Sequence, residues 1–126
     1  MQEGCQSSEQ GPAAVIELET LTSRCLGNLK LVERVLNIFQ QSVEKDLADI
    51  ERGLLTLDSS EVARAAHRIK GAAGNVAANG LHREAAAIEA FARTERMEEV
   101  FPCAERLRQA WRDFCVARPA LSDTEC

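Results

Sequence analysis

Apolar residues recur every three or four positions along most of this chain, which is the spacing of one face of an α-helix. A short pattern of this kind runs from about Glu17 to Cys25, and four longer ones follow it. The residues expected to face inward are Leu18, Leu21 and Cys25, then Leu29, Val32, Leu36, Phe39, Val43, Leu47 and Ile50, then Val62, Ala65, Ala66, Ile69, Ala73 and Val76, then Leu81, Ala85, Ile88 and Phe91, and finally Val100, Phe101, Ala104, Leu107, Trp111, Phe114 and Cys115.

Polar residues mark the ends of these segments. Asn28 can cap the second helix, and Asp58 with Glu61 three residues later resembles a capping box that opens the third. The second helix ends at Gly53 or continues through Leu54 and Leu57. The pair at 79–80, Asn-Gly, offers a C-terminal cap or turn, and the last two helices are expected over Leu81–Arg93 and Met97–Ala117.

The pattern therefore predicts an all-α fold with no strands. Four long amphipathic helices joined by short turns bury their apolar faces best as an antiparallel four-helix bundle, with the short additional N-terminal helix capping one end. This bundle is expected over residues 14–118. Polar composition predicts a disordered lead or linker at 1–13 and a flexible C-terminal tail at 119–126.

Charge and composition restrict the function. A net charge of −5 argues against binding to nucleic acids or anionic membranes, which favour a surplus of Lys and Arg. No apolar run approaches the roughly 20 residues of a membrane span, and residues 1–12 lack the pattern of a signal peptide. The five cysteines are scattered without a C-x-x-C pair, which argues against a zinc site. Because their number is odd and they show no pair spacing, a reducing cytoplasm is the expected compartment.

His67 falls on the side of the third helix opposite to the apolar stripe, roughly 140° from its centre at 100° per residue. Its side of the helix carries small residues at helical spacing, and cations surround the same region: Ala63, Gly71 and Gly74, with Arg64, Arg68 and Lys70. Each glycine within a helix costs about 1 kcal/mol relative to alanine. Their presence suggests that another molecule approaches the backbone here.

An exposed neutral imidazole is a good nucleophile near pH 7. Small neighbours leave room for a partner, and cations suit an anionic cargo such as a phosphoryl group that Lys70 could stabilise. A bundle without a cleft supplies little catalysis, so the partner would bring the metal and most transition-state stabilisation. An ordinary solvated histidine with incidental glycines fits these residues equally well.

The segment 66–76, Ala-His-Arg-Ile-Lys-Gly-Ala-Ala-Gly-Asn-Val, resembles the signature of the histidine-phosphotransfer (HPt) family, A-H-x-L-K-G-x-x-x-N-L-G. The resemblance extends over about 17–117 through Leu36, Phe39, Leu47, Asp58, Leu81 and the Ile88-Glu89 pair. One departure is Ala77, which stands where the family has glycine. Because the nearest glycine is Gly80, the turn after the third helix is expected to be displaced by a few residues.

The resemblance implies a phosphocarrier without autonomous catalysis. His67 would accept a phosphoryl group from the aspartate of one receiver domain and pass it to another, with Lys70 stabilising the phosphate and Gly71 giving access. Receiver domains of response regulators or hybrid histidine kinases would be the partners, and they would supply Mg²⁺, so neither metal nor cofactor is expected in this chain. The surface formed by Ala63, Arg64, Arg68 and Gly74 would contact them.

Two other classes of function can be set against the residues. A non-phosphorylated helical module that docks a receiver or histidine kinase is the alternative, although such a module need not retain His67, Lys70 and Gly71. A metal- or haem-binding bundle would need inward ligands such as Glu-x-x-His motifs, which the sequence lacks. We expect His82 to be an ordinary surface residue. Glu89 could reach the imidazole of His67 or be a solvated charge, and the solvated charge is the favoured interpretation.

Overall fold

The computed structural model describes residues 18–118, and its regular structure there is entirely helical. The all-α prediction is confirmed. The expected lead at 1–13 and tail at 119–126 lie outside the described residues. The helices are α1 (Leu18–Arg24), α2 (Leu29–Thr56), α3 (Ser59–Asn75), α4 (Asn79–Arg93) and α5 (Met97–Ala117). None of these helices combines the length and apolarity required to cross a membrane.

Cross-helix contacts show that the four long helices pack antiparallel. Between α3 and α4, His67 contacts Glu89 whereas Lys70, further along α3, contacts the earlier His82. Between α2 and α3, Asp46 binds Arg68 whereas Arg52, further along α2, binds the earlier Glu61. The same reversal holds between α2 and α5, where the pairs are Glu33–Arg118 and Glu51–Arg108. The predicted four-helix bundle is therefore confirmed.

The predicted apolar residues other than Leu18, whose side chain lies outside the described part of the structure, form most of the core, with three exceptions. Leu29, Phe101 and Cys115 are exposed, whereas Cys25 and Cys103 are buried. Leu29 is the first residue of α2 and lies at the edge of the bundle. Along α5, Cys103 and Phe114 take the inward positions, so Phe101 and Cys115, which are offset around the helix, lie outside the core. The rings of Phe39, Trp111 and Phe114 pack together with centroids 5.1–5.9 Å apart.

Helix α1 covers the end of the bundle at which α3 finishes, as predicted. Leu21 and Cys25 enter the core. Arg24 donates to the carbonyl oxygens of Gly74 at 2.8 Å and Asn75 at 2.9 Å. These carbonyls belong to the last turn of α3, where helical partners are missing and a cation complements the helix dipole.

The four connections between the described helices share one turn geometry, and none of them places glycine at the critical position. Leu26, Leu57, Ala77 and Glu95 each adopt a left-handed conformation, with φ between 54° and 59°. After α3, for example, Ala78 N–H donates to Ala73 and Ala77 N–H to Gly74, which are the two bonds of a Schellman motif.

Ala77 therefore makes the turn at the position where the HPt pattern has glycine. The expectation of a displaced turn was wrong, because alanine tolerates the left-handed conformation at some energetic cost. The predicted cap or turn at Asn79 and Gly80 was also wrong, because these residues begin α4.

Gly53 lies within α2, which continues to Thr56. The longer of the two predicted ends is therefore correct to within one residue, since Leu57 is the left-handed residue after the helix. A Cβ atom on Gly53 would lie 2.6 Å from Cγ2 of Val62 on α3. The glycine therefore permits close approach of the two helices where they meet the α2–α3 turn.

Replacing Leu57 by glycine should stabilise the protein by about 0.5–1 kcal/mol, because glycine relieves the left-handed strain at a side chain that is 64% exposed. Leu55→Gly is the control, since Leu55 is exposed but helical and the substitution should cost about 1 kcal/mol. Urea unfolding of both variants measures the difference. Destabilisation of similar size in both would show that the turn carries no strain.

Candidate functional site

His67 lies in the middle of α3 with its side chain 60% exposed, as its helical phase predicted. The neighbouring Ala66 is fully buried and so directs its own side of the helix into the core. The imidazole therefore stands on the surface of a rigid helix, next to α4, and not on a mobile loop.

One edge of this imidazole contacts a carboxylate from α4. Nδ1 of His67 lies 3.0 Å from Oε2 of Glu89, whose side chain is only 11% exposed. The prediction that Glu89 is a solvated charge was wrong. On α4, Glu89 adjoins the inward-facing Ile88, and the packing of α4 against α3 encloses the carboxylate between the two helices.

Two cations share the same carboxylate. Lys70 of α3 places Nζ 2.7 Å from Oε1 of Glu89, and Arg93 of α4 places Nε and Nη2 2.9 and 2.8 Å from Oε2. Lys70 is thus adjacent to His67, as predicted, and its ion pair is with Glu89. Arg93 was not predicted as a site residue, although its position four residues after Glu89 is a recognisable ion-pair spacing on a helix.

Burial and cation contacts act in opposite directions on the pKa of Glu89. Burial alone would raise it, but the bonds from Lys70, Arg93 and His67 outweigh that effect and lower the pKa to about 2. Glu89 is therefore a carboxylate throughout the physiological pH range.

The charge on Glu89 determines which ring nitrogen of His67 is reactive. A carboxylate only accepts hydrogen bonds, so Nδ1 must carry a proton and donate it to Oε2. In the neutral ring the lone pair is then on Nε2, the other ring nitrogen. The geometry can therefore present a nucleophile of defined tautomer, with a carboxylate in place to stabilise positive charge on the ring.

The glycines expected beside His67 have different surroundings. A Cβ atom on Gly71 would meet no atom within 4 Å among the described residues, so the backbone here is open to the outside. Gly74 is covered, because a Cβ atom there would lie 3.5 Å from Nδ1 of His82. That histidine is exposed, as predicted, and its Nδ1 lies 3.1 Å from the carbonyl oxygen of Lys70.

The other three residues that were predicted to contact a partner differ in their exposure and their own contacts. Arg64 is exposed and makes no ion pair within the part of the chain that the structure describes. Arg68 turns to α2, where it binds Asp46 and Asp49 at 2.9 Å each. Ala63 is only 3% exposed, so its placement on the exposed side of α3 was wrong. It lies four residues before His67 but is turned towards α4 and the core.

Comparison with known proteins identifies one family. The family model described as Hpt domain matches residues 34–115, about two thirds of the chain. No curated protein and no solved structure matches the chain. Within residues 18–118 no group of three or more His, Cys, Asp or Glu side chains is arranged to hold a metal ion.

Replacing Glu89 by glutamine should destabilise the protein at pH 7 by about 1–2 kcal/mol, since the amide keeps the shape but not the charge. Solvent screening near the surface makes this less than the pKa shift alone implies. Because the folded-state pKa is lowered, the contribution is complete above about pH 4.5 and is lost as the pH falls towards 2.

Chemical unfolding of both proteins between pH 7 and pH 3 tests this expectation. The difference in the free energy of unfolding should narrow below about pH 4.5. A constant difference across that range would contradict the assignment of the charge to Glu89.

Proposed function

The chain belongs to the Hpt domain family, and on that premise we propose that it is a phosphorelay intermediate that carries a phosphoryl group on Nε2 of His67. The donor would be the aspartyl phosphate of one receiver domain, and the acceptor the aspartate of another. The observation that supports this most is the pairing of an exposed ring with a carboxylate that holds Nδ1–H.

In the transfer step the Nε2 lone pair attacks the phosphorus atom of the aspartyl phosphate. The bond between phosphorus and the aspartyl oxygen breaks, and the aspartate leaves as a carboxylate with the bonding electrons. The proton stays on Nδ1, so the product ring is a phosphorylated imidazolium. Part of its positive charge is on Nδ1–H, which faces Oε2 of Glu89 at 3.0 Å in the unphosphorylated protein, and this carboxylate favours the product. Transfer to the second receiver is the same step reversed.

Lys70 and Arg93 balance the charge in this scheme. In the unphosphorylated protein both neutralise Glu89. A phosphoryl group on Nε2 adds nearly two negative charges beside them. We propose that Lys70, on its flexible stem, then divides its contacts between Glu89 and the phosphate, whereas Arg93 remains on Glu89 and keeps the ring in place.

The receiver would provide the remainder of the chemistry. His67 stands on a convex helical surface, where water is not excluded and few donors converge on the phosphoryl oxygens. Mg²⁺ and transition-state stabilisation therefore come from the partner in this proposal. Gly71, one turn beyond His67, leaves the backbone open so that the rim of the partner's active site can reach the ring.

A non-phosphorylated docking module is the alternative. Such a module would need a complementary surface but no particular tautomer on an exposed histidine. The contacts of Lys70, Arg93 and His67 with Glu89 favour the carrier. Burying the carboxylate costs desolvation energy, and the clearest benefit of that cost is a histidine ring held ready to react. The cytoplasm, where receiver domains act, is the proposed compartment.

The variant His67→Gln should keep its helical content by circular dichroism and should take up no acid-labile phosphate from phosphorylated receiver domains. The matched control is His82→Gln, which removes the other histidine of the chain and should be labelled as the wild type is. Transfer is measured with radiolabelled receivers, followed by acid and alkali treatment. Labelling of His67→Gln, or loss of labelling in His82→Gln alone, would disprove the assignment.

Replacing Gly71 by leucine should change stability and transfer in opposite directions. Leucine is a good helix former and its Cβ meets no described neighbour, so the free energy of unfolding should rise by about 0.5–1 kcal/mol. Phosphoryl transfer should slow by about tenfold or more, since the side chain occupies the approach to His67.

The smaller variant Gly71→Ala should show the same gain in stability with a weaker effect on transfer. Urea unfolding and rapid-quench transfer assays measure the two quantities. An unchanged transfer rate in Gly71→Leu would mean that the glycine does not provide access.

A further inference from the structure

A groove continues the reactive surface beyond His67, towards the start of α3. Ser59 and Arg64 of α3 face Arg93 of α4 across it, and the buried Ala63 and Ala92 line it between them. Its volume is about 560 Å³, which is large enough to admit side chains of another protein. Ala63 thus has a role that helical phase alone did not suggest, because its small side chain keeps the groove open.

The groove adjoins the phosphorylation site on both helices. Arg64 lies three residues before His67 on α3, about 5 Å along the helix axis. Arg93 follows Glu89 by one turn of α4 and binds it. A protein that docks over His67 therefore reaches the groove without extending far from the reacting atoms.

The charges of the groove differ from those of the chain as a whole. The chain has a net charge of −5, but two guanidinium groups and the single carboxylate of Glu95 line this groove. Arg93 is engaged by Glu89. Arg64 has no ion pair or side-chain hydrogen bond described within residues 18–118, so its charge is available to a partner.

Building on the proposed function, we propose that the groove receives an acidic side chain of the receiver domain, which pairs with Arg64. A carboxylate fits because Arg64 offers a planar pair of donors beside the small apolar surface of two alanines. The hydroxyl of Ser59 supplies a further donor on the same wall. Arg64 does not contact His67 or Glu89, so its contribution is to binding and not to the transfer step.

Arg64→Glu tests this proposal, with Arg34→Glu as the matched control. Arg34 is also an exposed arginine without an ion pair described in residues 18–118, but it lies on α2, near the opposite end of the bundle. Initial rates of transfer are measured against the concentration of a purified phosphorylated receiver, chosen from a panel as one that labels the wild type. Labelling of His67 by phosphoramidate, a small phosphodonor, is measured in parallel.

In Arg64→Glu we expect KM for the phosphorylated receiver to rise about tenfold with kcat within about twofold, the size of change that follows loss and reversal of one charge contact. Arg34→Glu should change KM by less than about twofold. Labelling by phosphoramidate should be equal in all three proteins, because this donor is too small to use the groove. Raising the ionic strength should increase KM of the wild type more than that of Arg64→Gln.

Three results would overturn the proposal. Equal KM values in Arg64→Glu and Arg34→Glu would show that the groove binds no acidic group of the receiver. A fall in kcat with unchanged KM would place Arg64 in the chemistry. Failure of the wild type to be labelled at His67 by phosphoramidate and by every receiver would instead refute the phosphocarrier function itself, and the groove proposal with it.

Discussion

The carboxylate of Glu89 is the interaction on which the candidate site depends. It is enclosed between α3 and α4, where an isolated charge would be unstable, and it remains ionised because Lys70, Arg93 and His67 all bind it. The same contacts join the two helices and orient the ring. Stability and reactivity are therefore coupled here. Loss of the charge on Glu89 would weaken the contact between α3 and α4, and the proton on Nδ1 of His67 would no longer be held.

The cluster around Glu89 and the contacts of α3 with α2 lie on different sides of α3. His67 and Lys70 face α4, whereas the intervening Arg68 faces α2 and binds the buried Asp46. One stretch of four residues thus serves two different interfaces. Arg68 binds two carboxylates of α2 and so holds α2 to α3, whereas Arg64, one turn earlier, has no ion pair among the described residues.

Much of the fold followed from periodicity, because burying a stripe every three to four residues admits few arrangements of short-linked helices. The ends of the helices were less predictable. Leu57, Ala77 and Glu95 adopt left-handed conformations, which usually occur at glycine. Because Ala77 is not a glycine, the sequence predicted the turn after α3 a few residues too late. Asn79-Gly80, a strong turn signal in isolation, was overridden by the Schellman motif at Ala77.

The site was predictable as far as a single helix could show it. The phase of α3 placed His67 outside and Lys70 beside it. It could not show that Glu89 of α4 is enclosed against α3 or that Ala63 is turned inward, because both depend on how two helices meet. The glycines make the same point. Gly53 is small because Val62 packs against it, and Gly74 lies beneath His82, so both have neighbours within the fold. Gly71 has none, and neither has Gly80 in the first turn of α4, so packing among the described residues explains the cost of neither. Of these two, Gly71 is the one that lies in the middle of a helix, one turn beyond His67.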